Sequence, residues 1–184
     1  MRNLIFVIIG VVFALSIATE KAEAQWGIGA SYEIRNEEPK NGFGFRVEKG
    51  VLSGLPLLDL NLRGHFSYFN ETNNVSLEDG IRASQDVDVY DFGLAAVAGV
   101  SIGMVKPFAG LGIGRERFKL SADHQSLQSF KEANFYWNGF GGAEITLLPF
   151  LKPFIEYRIS RLTSTDDLEF DNVGRLAIGI NLRF

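Results

Sequence analysis

The sequence predicts an all-β protein: an eight-stranded antiparallel up-and-down barrel that crosses a membrane with its strands, preceded by a cleavable export segment. Three observations carry this reading. Apolar residues recur at every second position in eight separate stretches. The opposite face of those stretches mixes glycine with charges of both signs. The connections alternate between short turns and longer polar segments, the rhythm of successive hairpins.

The chain opens on "MRNLIFVIIGVVFALSIATEKAEAQ", where Arg2 is the only early charge and an uncharged run extends from Leu4 to Thr19. Ala22-Glu23-Ala24 then gives the small-x-small pattern of a cleavage site. An anchor helix would need about 20 apolar residues. The run nearly reaches that length, but the well-placed site favours removal. The expectation is a signal peptide over 1–24 and a barrel domain over 25–184, with mature protein starting at Gln25. The mature part is about 160 residues, one domain's worth. It offers no stretch of 18 consecutive apolar residues, so no membrane helix is expected there. Cysteine is absent, which excludes disulfides and thiolate metal sites. The net charge of -4 carries no basic excess and gives no sign of nucleic-acid binding.

The first strand, "WGIGASYEIR", sets Trp26, Ile28, Ala30, Tyr32 and Ile34 against Gly27, Gly29, Ser31, Glu33 and Arg35. The second sets Phe43, Phe45 and Val47 against Gly44, Arg46 and Glu48. In the third, Leu58, Leu60, Leu62, Phe66 and Tyr68 oppose Asp59, Asn61, Arg63, His65 and Ser67. The fourth sets Tyr90, Phe92, Leu94 and Ala96 against Asp91, Gly93, Ala95 and Val97. The fifth sets Ala109, Leu111 and Ile113 against Phe108, Gly110, Gly112, Gly114 and Glu116. In the sixth, Trp137, Gly139, Gly141, Ala143 and Ile145 oppose Asn138, Phe140, Gly142 and Glu144. The seventh sets Ile155, Tyr157 and Ile159 against Phe154, Glu156, Arg158 and Ser160. The eighth sets Leu176, Ile178, Ile180, Leu182 and Phe184 against Arg175, Ala177, Gly179, Asn181 and Arg183. Strands four to six have small residues on both sides, so their faces are the least determined. Short gaps with Gly or Pro fall near 51–57, 100–106 and 147–152. Polar loops are expected near 36–41, 70–87, 117–134 and 164–172. The sequons at Asn70 and Asn74 are read as ordinary loop residues.

Period two does not say which face meets solvent. A soluble ligand-carrying barrel also has eight strands, with its apolar face inside. Here the other face carries Arg35, Arg46, Arg63, Arg158, Arg175 and Arg183, and Glu33, Glu48, Asp59, Asp91, Glu144 and Glu156. A narrow lumen explains that balance. Glycine leaves room, and arginine forks neutralise carboxylates that would otherwise be buried alone. The apolar face then looks out into lipid, where only helices and closed barrels satisfy the backbone. An even strand count puts both ends of the barrel on the side of the short turns. Aromatics near strand ends, Trp26, Tyr68, Tyr90 and Phe184, sit where interface girdles belong.

The last strand resembles the C-terminal signature of bacterial outer-membrane β-barrel proteins. That resemblance implies Phe184 as part of the signal read by the barrel assembly machinery. "KPFAGLGIGRE", "WNGFGGAEI" and "PFIEYRIS" resemble the outer membrane protein β-barrel domain family, related in architecture to OmpA/OmpX-type barrels. The family's location is the outer membrane of a diderm bacterium, and its activities are mixed.

Little in the chain suggests chemistry. The two histidines, His65 and His124, cannot build a metal cluster. His65 and Ser67 lie on one face, and Ser–His activation by Glu48 or Asp91 is chemically sensible. The pair faintly resembles that of the lipid A deacylases, which are also eight-stranded barrels. Asn follows Ser in that pattern, whereas Tyr68 follows here. A hydrogen-bonded lumen histidine is the better reading. The acidic stretch 164–172 lacks the ordered spacing of a calcium loop and reads as a hairpin tip. Eight-stranded barrels are filled by their own side chains, so the lumen charges read as a structural network rather than a pore lining. The expectation is a monomeric, non-enzymatic barrel without cofactor. It would act in envelope structure or surface interaction through its long loops. Its partners would be outer-membrane lipid, lipopolysaccharide and the assembly machinery. A narrow porin-like channel is the first alternative and a lipid A-modifying enzyme the second.

Overall fold

The computed structural model describes residues 26–52, 58–76, 82–122, 130–163 and 172–184. The expected signal peptide at 1–24, His124 and nearly all of the acidic stretch at 164–172 lie outside the described residues. Eight strands follow in order: β1 (Trp26–Arg35), β2 (Asn41–Leu52), β3 (Leu58–Ser76), β4 (Arg82–Val100), β5 (Val105–Ala122), β6 (Phe130–Ile145), β7 (Leu151–Thr163) and β8 (Val173–Arg183). Each pairs antiparallel with the next, and β1 pairs with β8 to close the barrel. The seam runs from Arg35 opposite Arg175 to Gly27 opposite Arg183. It ends with Trp26 N–H donating to the Phe184 carbonyl at 3.0 Å and Phe184 N–H donating to the Trp26 carbonyl at 2.9 Å. Closure leaves no strand edge unpaired in the part shared by all eight strands, as lipid requires.

The rim carrying this closure also carries the tight turns. Ile102 and Val105 exchange backbone hydrogen bonds around Gly103, which takes φ of 60°. That left-handed conformation suits glycine. Leu148 and Leu151 close the next turn in the same way.

Alternation sets the faces as expected in all eight strands, including β4 to β6. Phe92, Leu94, Leu111, Ile113 and Trp137 are exposed on the outside, while Asp91, Ala95, Val97, Phe108, Asn138 and Phe140 are buried inside. Tyr32 packs edge-on against Phe43, and Tyr68 lies tilted against Tyr90 at 5.0 Å between ring centres, toward the rim away from the turns.

The structure corrects the expected loops at 70–87 and 117–134. β3 and β4 remain paired as far as Ser76 opposite Arg82, and β5 and β6 as far as Leu120 opposite Phe130. These strands have 19, 19, 18 and 16 residues. A tilted membrane crossing needs only about 9–11. Over the extra length the polarity pattern inverts. Phe69, Val87 and Val89 are buried inside, with Phe118 and Leu120 against them. Asn70, Asp86, Asp88 and Lys119 alternate with them on the outer face. The cause is a change of outer solvent. Beside lipid the outer face must be apolar; beyond it, water takes the polar residues and the apolar ones turn inward.

Candidate functional site: the filled lumen

Two arginine-centred clusters and a rim group fill the interior. In the upper cluster, Arg175 from β8 reaches Asp91 on β4 at 2.5 Å, Glu33 on β1 at 3.3 Å and Glu116 on β5 at 3.8 Å. It also donates to the Ser67 hydroxyl at 3.2 Å. Arg35 donates to Glu116 at 3.2 Å. The guanidiniums of Arg35 and Arg175 lie 5.0 and 4.9 Å from the Phe69 ring, beneath the inward apolar cluster. The Tyr136 hydroxyl donates to Asp91, and His65 Nε2 stands 2.9 Å from the same hydroxyl.

The central cluster turns on Arg63. Its Nε donates to Glu48 at 2.7 Å and its Nη1 to Glu156. Arg46 and Arg158 donate to Glu156 as well, at 3.4 and 2.9 Å. Arg46 stacks on Phe154 at 3.3 Å from the ring centre, and Arg63 and Arg158 lie over Phe140. Arginine suits this place because its plane stacks on rings while its fork meets carboxylates. Gly29 leaves the space, since a Cβ there would stand 2.9 Å from Asn181 Oδ1 and 3.1 Å from the Arg46 chain.

Toward the turn rim, Arg183 donates to Glu48 at 3.0 Å, and Asn181 donates to Glu144 at 3.1 Å. Lys152 lies 3.8 Å from Glu144, and Lys106 pairs with Asp59 at 2.6 Å. Asp59 is the most open of these carboxylates, with 35% of its side chain exposed.

All thirteen network residues expected from the sequence therefore lie on the inner face. Those not foreseen are Lys106, Lys152, Glu116, Tyr136, Asn138, Asn181 and Phe69. Glu116, Asn138 and Asn181 sat on the correct alternating face, so the same pattern could have included them. Lys106 and Lys152 each precede a proline and were read as part of a turn. His65 and Ser67 are both buried, but they engage different groups: His65 faces Tyr136 and Asp91, while Ser67 accepts from Arg175. Among the described residues no group of His, Asp or Glu could hold a metal.

A closed barrel with an apolar exterior and an ionic interior defines a membrane-spanning β-barrel. The pattern of the outer membrane protein beta-barrel domain matches residues 5–184, and the chain belongs to that family. It lies in the bacterial outer membrane. The fold is similar to that of a major outer membrane protein from Thermus thermophilus, at 14% identity over 89% of this chain and 100% of the other, with a TM-score of 0.70. Neisserial surface protein A is similar at 15% identity, 89% and 98% coverage and a TM-score of 0.62. Ail, the attachment invasion locus protein of Yersinia pestis, solved with the heparin analogue sucrose octasulfate, gives 18%, 89% and 100%, and 0.59. No curated protein matches the sequence significantly.

Proposed function

We propose that this barrel is a non-enzymatic component of the outer membrane, acting in envelope structure or surface interaction through the β3–β4 and β5–β6 hairpins. The observation that carries this is the filled lumen. Each of its arginines is paired to a carboxylate, rings are stacked between the clusters, and the Phe69–Val87–Val89 group lies inside the extended hairpins. Such packing favours a rigid plug over a water path. The burial of Ser67 and His65 argues against attack on a lipid, which would need the nucleophile at the outer face. The hairpins extend on the order of 25 Å of strand past a membrane crossing, at about 3.3 Å per residue.

The test is planar-bilayer recording with purified barrel, paired with mass spectrometry of lipid A from cells with and without the gene. We expect no stepwise conductance and unaltered lipid A. Stable open steps would replace this reading by a narrow pore, and a shifted acyl pattern by a lipid-modifying enzyme. The reading includes removal of 1–24 on export; N-terminal sequencing of membrane-extracted protein should begin at Gln25.

A further inference from the structure

Three rows of residues cross the outer face from β3 to β6. Going up from the lipid, they are Phe66, Phe92, Arg115, Phe135; then Tyr68, Tyr90, Arg117, Ala133; then Asn70, Asp88, Lys119, Lys131. The aromatic half of the first two rows marks headgroup level, where amphipathic rings settle. On β5 the same two rows carry arginine. Arg161 on β7 adds a further cation on this face, opposite Trp137.

These cations differ from the ones inside. Each lumen arginine has a carboxylate within 4 Å. On the outer face, Arg115, Arg117, Lys131 and Arg161 have no ion pair among the described residues, and only Lys119 approaches an acid, Asp88, at 3.9 Å. Asp88 is itself taken up by Tyr68 at 2.8 Å and Asn70 at 2.9 Å, and Asp86 by Thr72 at 2.7 Å. Among the described residues of this face, the acids thus belong to β3–β4 and the open positive charge to β5–β7. The Arg115 guanidinium rests 5.2 Å from the centre of the Phe135 ring, and its Nε–H is buried without a hydrogen-bond acceptor.

We propose that the outer face of β5–β7, through Arg115, Arg117, Lys119, Lys131 and Arg161, binds the phosphate groups of the lipopolysaccharide in the outer leaflet. The location selects the ligand. At headgroup level on this side of an outer membrane, the neighbouring anions are phosphates on a glycolipid. Arginine presents a planar fork suited to phosphate oxygens, and basic residues beside an anionic bilayer surface gain affinity in proportion to their number. Phe135 and Trp137 offer apolar surface immediately beneath for the first carbons of the acyl chains.

The experiment uses the purified full barrel in neutral detergent and measures binding of bisphosphorylated lipid A, dephosphorylated lipid A and phosphatidylglycerol in mixed micelles. Wild type should bind bisphosphorylated lipid A about a hundredfold more tightly than the dephosphorylated form. The triple variant Arg115→Gln, Arg117→Gln, Lys131→Gln should lose about a hundredfold, for three charges removed. Lys40→Gln, at the same rim between β1 and β2, should lose nothing. Retention of heat-modifiable migration verifies that the variants fold. Equal affinity for dephosphorylated lipid A, equal affinity in the triple variant, or equal affinity for phosphatidylglycerol would overturn the assignment. The dephosphorylation comparison needs no variant, so it decides the matter even if the triple variant fails to fold.

Discussion

Arg63 concentrates what the interior asks of one side chain. It is 2% exposed and holds Glu48 and Glu156 at once, with Phe140 4.8 Å away. Breaking a buried pair from one side costs roughly 3–5 kcal/mol. Here Arg46 remains near both carboxylates, and Arg158 and Arg183 each hold one. Arg63→Met should therefore lower the unfolding free energy in urea by about 2–4 kcal/mol. Lys40→Ala, exposed between β1 and β2, should change it by about 0.5 kcal/mol or less. Glycine makes a second residue-scale test. Gly110 faces inward, and a Cβ there would strike the Phe140 ring and stand 2.7 Å from the Ala96 carbonyl. Gly139 faces outward, and its Cβ would meet only Leu111, at 3.5 Å. Gly110→Ala should destabilise by about 1–3 kcal/mol, and Gly139→Ala should be near neutral in the same urea titration.

At the level of the strand, the period-two pattern was legible wherever lipid enforced it. Leu62 and Ile178 could be assigned outward from sequence because the outer face beside hydrocarbon must be apolar. The pattern was lost from Phe69 upward because its sign reverses. "DVDV" at 86–89 and "RFKL" at 117–120 alternate cleanly, but with the apolar residues inside. Read as loops for their polarity, they are strands for their period. The adjacent pair Tyr68-Phe69, one ring out and one in, marks the reversal. Charge placement gives the test of this boundary. Leu62→Arg, on the outer face of the spanning part, should cost about 2–4 kcal/mol in vesicle-bound barrel, whereas Thr72→Arg on the outer face of the same strand, above the boundary, should cost about 0–1 kcal/mol. Equal costs would mean that lipid reaches the upper hairpin. Phe184 allows folding and biogenesis to be tested apart. The residue is 73% exposed, and its seam bonds are made by the backbone. Phe184→Ala should leave the urea midpoint of refolded barrel unchanged while lowering the amount reaching the outer membrane in cells. Unaltered cellular levels would dismiss the ring as an assembly signal.

Across the whole molecule, the barrel and its ionic interior were readable because both follow from one alternation repeated eight times. The partners within the interior were not. Sequence placed Arg46, Arg63 and Arg158 on the inner face, but only closure brings Arg46 and Arg63 across to Glu156, beside its own strand neighbour Arg158. The rim lysines, Lys106 and Lys152, were hidden because the turns that carry them have no period to read. If the plug is as complete as the pairing suggests, single lumen variants such as Arg63→Met should still give no steady conductance in planar bilayers. Robust current from that variant would show that one ion cluster alone seals the barrel.

The ion pairs of the interior also carry an order in time. Glu33 and Asp91 are made well before Arg175, which pairs with both from near the end of the chain. Arg46 and Arg63 have Glu48 beside them from the start, but their second carboxylate, Glu156, comes only with β7. A partly emerged barrel therefore holds Glu33 and Asp91 before the arginine that neutralises them exists, and burying them in hydrocarbon at that stage is costly. Contacts so distant along the chain make for slow formation, and here they also make it nearly all-or-none: the first hairpins must be sheltered from lipid until β7 and β8 arrive to neutralise them.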